Sequence, residues 1–309
     1  MIVVPEEFQQ STIEREGEPG AEWIRQLPSL VDELVEHWRC VPDGRVTHGA
    51  VGIVVPVRRR DGESAVLKVS FPHPGNVHEP DAFATWGGRG AVLLYERADE
   101  HFAMMLERAQ ANTLAEVADG DEVARVAGRL SHRLAVPAPP DLPRLHDRAD
   151  EWETRLRTDT RELPHGMPRR VVDAALATVQ ELGRRQPETL VHGDLHARNV
   201  LRADREPWLA IDPKGYVGDP AYDAGALLTS RALPLLASGD LDGGLRRAVE
   251  VFAEAAGLDR VRVRRWAQLQ AVQAAFWGRR HGFTVARGGP DRERIAQLAE
   301  HVAELFTER

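Results

Sequence analysis

Residues 191–223 read VHGDLHARNVLRADREPWLAIDPKGYVGDPAYD, and no other stretch of the chain carries as much information. It holds three oxygen-bearing side chains, Asp194, Asn199 and Asp212, in segments that alternate loop with short strand. Strand character is strongest in TLVHGD (189–194) and WLAID (208–212), so the three side chains are expected at one edge of a small β insertion. Oxygen-only donors of this kind suit a hard cation such as Mg²⁺, with phosphate oxygens filling its remaining positions.

Outward from this stretch the chain divides in character. The first forty residues place Trp23, Ile24, Leu27, Leu30, Val31, Leu34, Val35 and Trp38 three and four apart, as on one helix face, with a break and a second helix start expected at Pro28. RVTHGAVGIVVPVRRR, the Asp61-Gly62 turn signal and SAVLKVSF read as a β-hairpin. AVLLYE (91–96) and HFAMMLE (101–107) read as a second antiparallel pair, and HEPDAFATWGG before them as a short helix. After Glu107 the pattern is helical, over 113–135, 146–160, 168–184, 221–237, 243–256, 260–280 and 291–307, interrupted by prolines at 137, 139, 140 and 143. The expected class is α+β, with a small antiparallel-β lobe over 1–107 and a larger helical lobe over 108–309. No repeat, heptad array or low-complexity tract is visible.

Composition narrows the function. At 309 residues the chain has room for about two domains of roughly 100–200 residues each. A single cysteine, Cys40, and a start lacking a basic, then apolar leader favour a reducing cytoplasm. No apolar run approaches the roughly 18 residues of a membrane span. A net charge of −8 disfavours nucleic acid as a partner and suits a cationic ligand. Of 40 basic side chains only two are lysines, Lys68 and Lys214. A codon bias that turns replaceable lysines into arginines accounts for the excess, and under it a surviving lysine is expected where a compact ammonium is needed rather than a planar fork.

The spacing Asp-Leu-x-x-x-Asn from Asp194 to Asn199, followed by an aspartate on a later strand end, is the arrangement used for phosphoryl transfer from a nucleotide. The segment resembles the catalytic and metal loops of the aminoglycoside phosphotransferases, which have a bilobal protein-kinase-like fold. The chain as a whole resembles that superfamily's streptomycin 6-kinase and hydroxyurea phosphotransferase branch. GAVGIVVPVRR, AVLKVSFP, HEPDAFATWGGRGAVLL, LERA, LAVPAPPDLPRL and the 192–223 segment follow in its order and spacing, from about residue 20 to 235.

The resemblance implies a role for each matching position. Asp194 matches the catalytic aspartate that positions the acceptor hydroxyl, and Asn199 and Asp212 match the Mg²⁺ ligands. Lys68 matches the strand lysine that contacts the α and β phosphates of ATP, and strand alternation puts it on the face opposite Leu67 and Val69. Glu79 matches the helix glutamate that pairs with that lysine, and Glu107 the hinge, whose backbone would meet the adenine edge. The implied activity is ATP-dependent O-phosphorylation of a small cationic or polyhydroxylated molecule by a monomeric enzyme, with streptomycin first and hydroxyurea or another hydroxylated metabolite second. Two departures stand out: the loop His48–Gly52 has two glycines and no G-x-G-x-x-G, and Pro80 restricts Glu79 unless the helix begins there.

Other readings of these residues belong to different classes. His192, Asp194 and His196 form a His-x-Asp-x-His pattern open to a metal-dependent hydrolase, although no further His or Cys stands in register. A nucleotide-binding pseudokinase would keep the fold without turnover. Asp219 and Asp223 in GDPAYD are open to substrate contact, but Gly218-Asp219-Pro220 reads better as a turn and helix start capped by Asp219, and Lys214 reads either as a phosphate or substrate contact or as a solvated loop lysine. Trp266, Phe276 and Trp277 read as core. A Walker-type NTPase is excluded by the lack of G-x-x-x-x-G-K-[ST], and the absence of an A-P-E pattern after Asp212 disfavours protein substrates.

Overall fold

Helices α1 (Glu6–Glu16) and α2 (Glu18–His37) open the chain, separated by Gly17 in a left-handed conformation at φ 66°. In the computed structural model the described residues are 2–163, 167–281 and 292–307, without the side chains of 292–296. They fall into two compact units, Met1–Gln110 with Ala203–Lys214, and Ala111–Arg202 with Gly215–Arg309. The break expected at Pro28 does not occur, because α2 runs through it. An interior proline costs about 3 kcal/mol. Ile24 and Leu27 before it and Val31 and Leu34 after it are all buried, so packing on both sides holds the helix continuous.

The first unit's sheet contains β1 (Val41–Pro42), β2 (Thr47–His48), β3 (Gly52–Arg58), β4 (Ser64–Ser70), β5 (Leu94–Ala98) and β6 (Ala103–Glu107). Its order is β1-β3-β4-β6-β5, with β2 also on β3, and every pairing is antiparallel. Ile53, Val55 and Val57 of β3 and Ala65, Leu67 and Val69 of β4 alternate onto one face. There they join Phe8, Leu27 and Val31 in a single core. Lys68 pairs with Val54 on one side and Met104 on the other, and so lies on the opposite face from Leu67 and Val69. Helix α3 (Glu79–Trp86) follows β4.

The strand pair expected at 91–96 and 101–107 starts later, at Leu94 and Ala103. A short turn over Asp99–His101, closed by Phe102 at φ 49°, takes up the residues between. Ala91 instead meets the segment that returns late in the chain: Ala210 N–H donates to Gly90 O at 2.9 Å and Ala210 O accepts from Val92 N–H at 3.2 Å. Arg205 of that segment donates to Gly88 O, Ala91 O and the Glu107 carboxylate. These bonds attach Ala203–Lys214 to the first unit, whereas a division at 107/108 leaves it with the second.

In the second unit the helix expected from 113 begins at 120. Thr113 and Glu116 close a separate turn as a capping box, and the Asp119 carboxylate then caps α4 (Gly120–Leu134) through the N–H groups of Asp121 and Glu122. The remaining helices are α5 (Ala149–Glu162), α6 (Arg169–Thr178), α7 (Asp223–Ser238), α8 (Leu241–Ala256), α9 (Arg260–His281) and α10 (Arg292–Thr307). A three-stranded sheet sets β8 (Thr189–Val191) between β7 (Val136–Pro137) and β9 (Tyr216–Val217), both antiparallel to it. Helices α4 and α8 approach closely at Gly128, where a Cβ would lie 2.6 Å from Phe252 O and 2.9 Å from Ala255 Cβ. Trp266 and Phe276 are core residues, as expected. Trp277 is not: one residue on from Phe276 it has rotated out of the buried side of α9, is 40% exposed and stacks on His281. Among the described residues no helix is long and apolar enough to cross a membrane.

Candidate active site

In the first unit the sheet and α3 bring Lys68, Glu79 and Asp212 together. Lys68 is buried, and its Nζ donates to Glu79 Oε1 at 2.6 Å and to Asp212 Oδ1. Glu79 is the first residue of α3, so Pro80 falls in the first helical turn, where a missing N–H costs no helix bond. Burial works against the Lys68 ammonium, but the carboxylates of Asp212 and Glu79 outweigh it, and the lysine pKa is raised. Burial also pushes the Glu79 carboxyl up, to about 7, with the Lys68 charge pulling the other way. Asp212 stands in the left-handed region at φ 56°, a conformation costing a residue with a Cβ about 1 kcal/mol.

In the second unit the 192–199 loop is built around backbone amides. Beyond β8 the chain turns at Gly193, φ 83°, and the N–H groups of His192 and Gly193 donate to the two carboxylate oxygens of Asp223 at 3.1 and 2.7 Å. Asp223, at the start of α7, is 1% exposed, and burial pushes its carboxyl up to about 7 against the pull of these two bonds. His192 is sealed from solvent, and its Nδ1 accepts from Asp194 N–H at 3.2 Å. An Nδ1 that accepts puts the proton of the neutral ring on Nε2. The Asp194 backbone carbonyl accepts from Asn199 Nδ2 at 3.0 Å and from His196 N–H at 2.9 Å. These bonds fix the backbone of Asp194 while its carboxylate stays 34% exposed. They also turn the Asn199 amide so that its nitrogen is used inside the loop and its oxygen remains as donor atom for a cation.

Other candidate residues have more defined environments than the sequence suggested. The Glu107 N–H donates to Leu93 O at 2.8 Å and its carboxylate accepts from Leu93 N–H and Arg205, so that N–H is not available to an adenine edge. The Lys214 stem lies against the turn at Gly75, and its charge is among those that pull the Glu79 pKa down. Asp219 accepts from Ala221 N–H at 3.0 Å and from Arg262 Nε and Trp266 Nε1, each at 2.5 Å, which makes it the anchor of the turn. The histidine-metal alternative loses a ligand, since His192 is buried with Nδ1 engaged by Asp194. Among the described residues no group of three or more His, Cys, Asp or Glu side chains is arranged to hold a metal. His196 points Nε2 toward Asp194 Oδ1 at 3.9 Å. For Asp223, weighed in the sequence only alongside Asp219, the structure adds the partners: they lie about thirty residues upstream, and no local spacing reveals them.

Comparison with known proteins agrees with this picture. The family model described as "Aminoglycoside/hydroxyurea antibiotic resistance kinase" matches residues 37–282. The streptomycin 6-kinase of Streptomyces glaucescens is 37% identical over 279 residues, covering 90% of this chain and 91% of that one. The hydroxyurea phosphotransferase of Kitasatospora aureofaciens is 33% identical over 281 residues, covering 90% and 80%. Among solved structures, a choline/ethanolamine kinase family protein from Mesorhizobium loti aligns with a TM-score of 0.56 over 90% of this chain and 95% of its own, at 15% identity. That likeness gives the fold, which is the kinase-like α+β architecture. The chain is a phosphotransferase that belongs to the aminoglycoside/hydroxyurea antibiotic resistance kinase family.

Proposed function

We propose that the chain transfers the γ-phosphoryl group of ATP to a hydroxyl of a small cationic or polyhydroxylated molecule, with streptomycin as the leading acceptor. The observation that carries the reading is the buried Lys68 held by Glu79 and Asp212, a cation fixed beside a carboxylate able to ligate a metal. In the proposed reaction the acceptor oxygen forms a bond to the γ-phosphorus, the bond to the β,γ-bridging oxygen breaks, and ADP leaves. Asp194 orients the hydroxyl and accepts its proton, from a position set by the bonds His192 and Asn199 make to its backbone. Lys68 draws the α and β phosphates into line, with Glu79 fixing its direction, and the segment after Glu107 supplies the adenine contacts.

The donor chemistry fits Mg²⁺: Asn199 Oδ1 and the Asp212 carboxylate are hard oxygens, and the reading assigns both as ligands. An ion held there would neutralise charge on the phosphates. Acceptor choice rests on the relatives. Two streptomycin 6-kinases are 36–37% identical to the chain, and the 33% identity to a hydroxyurea phosphotransferase supports hydroxyurea as the second candidate. The test is ADP release from Mg-ATP with streptomycin, hydroxyurea or small polyols, for the native protein and Asp194→Asn. Acceptor-dependent ADP that vanishes in the variant, while ATP still binds, is expected. Acceptor-independent behaviour throughout, or full activity of Asp194→Asn, overturns the assignment.

A further inference from the structure

Both lysines of the chain act on one carboxylate. Lys68 and Lys214 are the two exceptions in a basic set otherwise made of arginine; Glu79 is paired with the first and feels the charge of the second. All three residues belong to the first unit. The two ammonium groups differ in what they have left to offer. Lys68 Nζ carries three N–H bonds and gives one to Glu79 and one to Asp212. Among the described residues no acceptor takes a bond from Lys214.

A lysine that is merely solvated extends into water. Lys214 is instead half-buried, and its stem lies along the turn that joins β4 to α3, with Cδ 3.8 Å from where a Cβ on Gly75 would stand. That turn is itself tied down. Gly75 N–H donates to His73 Nδ1 at 2.9 Å, His73 N–H to Asn76 Oδ1 at 3.1 Å, and Asn76 Nδ2 to Phe71 O at 3.2 Å. Two residues before Lys214 the chain is anchored again, through the bond from Lys68 to Asp212. A gripped stem with an uncommitted head makes a pre-positioned point charge, the form in which lysine binds phosphate. Charge balance requires one here. Glu79 and Asp212 together outnumber Lys68, so without Lys214 this corner is net negative and repels a triphosphate.

We propose that Lys214 contacts the γ-phosphoryl group of ATP, an assignment that rests on the phosphotransfer reading of the site. Lys68, with one N–H to spare, serves the α and β phosphates, and the terminal phosphate falls to the lysine whose donors are all uncommitted. An ammonium turning on a flexible stem can follow the phosphoryl oxygens as the bond to the bridging oxygen breaks, so the contact supports turnover as well as binding.

The experiment is calorimetric titration of the full chain with Mg-ADP and with the non-hydrolysable analogue Mg-AMP-PNP, for the native protein and Lys214→Met, with thermal unfolding and steady-state kinetics alongside. Lys214→Met is expected to weaken AMP-PNP binding roughly tenfold to a hundredfold, the loss of one charge-assisted bond, and to leave ADP affinity within about twofold. The fall in kcat should be at least as large. Lys214→Gln, which keeps a polar head, should give the same pattern, and it replaces the methionine variant if that one fails to fold. A folded variant that loses ADP and AMP-PNP affinity equally, or neither, overturns the proposal. So does a rise confined to the acceptor KM, which would assign Lys214 to the acceptor. Native protein that binds neither nucleotide overturns the phosphotransfer reading itself, before any variant is compared.

Discussion

Asp223→Asn tests the claim that a buried carboxyl organises the loop behind Asp194. In the folded chain burial raises the Asp223 pKa from 3.8 to about 7, and the unfolded chain returns it to the ordinary range. Between those values the folded state holds a proton that the unfolded state has lost. The contribution of Asp223 to stability is therefore fully present below about pH 4, falls as pH rises and levels off above about pH 7. A rise of this size corresponds to about 4 kcal/mol between the two protonation states, and relaxation around a buried site brings the expected loss to about 2–4 kcal/mol. Asparagine does not titrate, and it retains one acceptor for the two amides of His192 and Gly193, so its own cost of about 1–3 kcal/mol does not vary with pH. Urea unfolding of both proteins, followed by tryptophan fluorescence at matched pH values from about 4.5 to 7.5, isolates the titration, because every other ionisable group is shared. The native protein should lose stability relative to the variant as pH rises, with m-values unchanged. A stability gap that stays constant, or moves in favour of the native protein, would show that the two amide bonds govern this carboxyl and that the burial argument is wrong.

Two further outcomes follow from packing and charge. Lys68→Met leaves Glu79, 2% exposed, without its ammonium and should cost about 3–5 kcal/mol, most of it recovered in Lys68→Met/Glu79→Leu, as a double-mutant cycle of thermal stabilities would show. Gly128→Ala forces a methyl toward Phe252 O, 2.6 Å away, and should lower stability by about 1–3 kcal/mol with KM for ATP unchanged, measured by denaturation and steady-state kinetics.

The sequence made the candidate side chains legible because their chemistry is local in type: a lysine on a strand, a glutamate opening a helix, Asp194 and Asn199 five residues apart. Strand alternation was enough to put Lys68 on the face away from the apolar core. Features that depend on partners distant in sequence were not legible. Asp223 takes both of its amides from a loop about thirty residues upstream, and nothing in GDPAYD states that. Pro28 was read by its local penalty, whereas two buried faces on either side decide the helix. The Ala203–Lys214 segment was assigned by its position in the chain, but backbone bonds to Gly90 and Val92 and the reach of Arg205 to Glu107 attach it to the first unit.

The rarity of lysine acquires a physical reason at one of its two positions. The Lys68 ammonium is a single atom that donates in two directions, to a carboxylate on α3 and to another beyond the late strand Trp208–Ala210. A guanidinium is planar and wider, and it presents its donors as a fork matched to one carboxylate rather than as diverging bonds from one centre. Where Arg205 meets Glu107 the fork geometry is used, with Nε and Nη2 both reaching the same carboxylate at 2.8–3.2 Å. The two sites lie in the same unit and both pair a cation with glutamate, so charge alone does not distinguish them. What differs is burial: the Lys68 and Glu79 side chains are 11% and 2% exposed against 33% and 12% for Arg205 and Glu107, and a narrow ammonium fits such a buried position where a guanidinium fork needs more room.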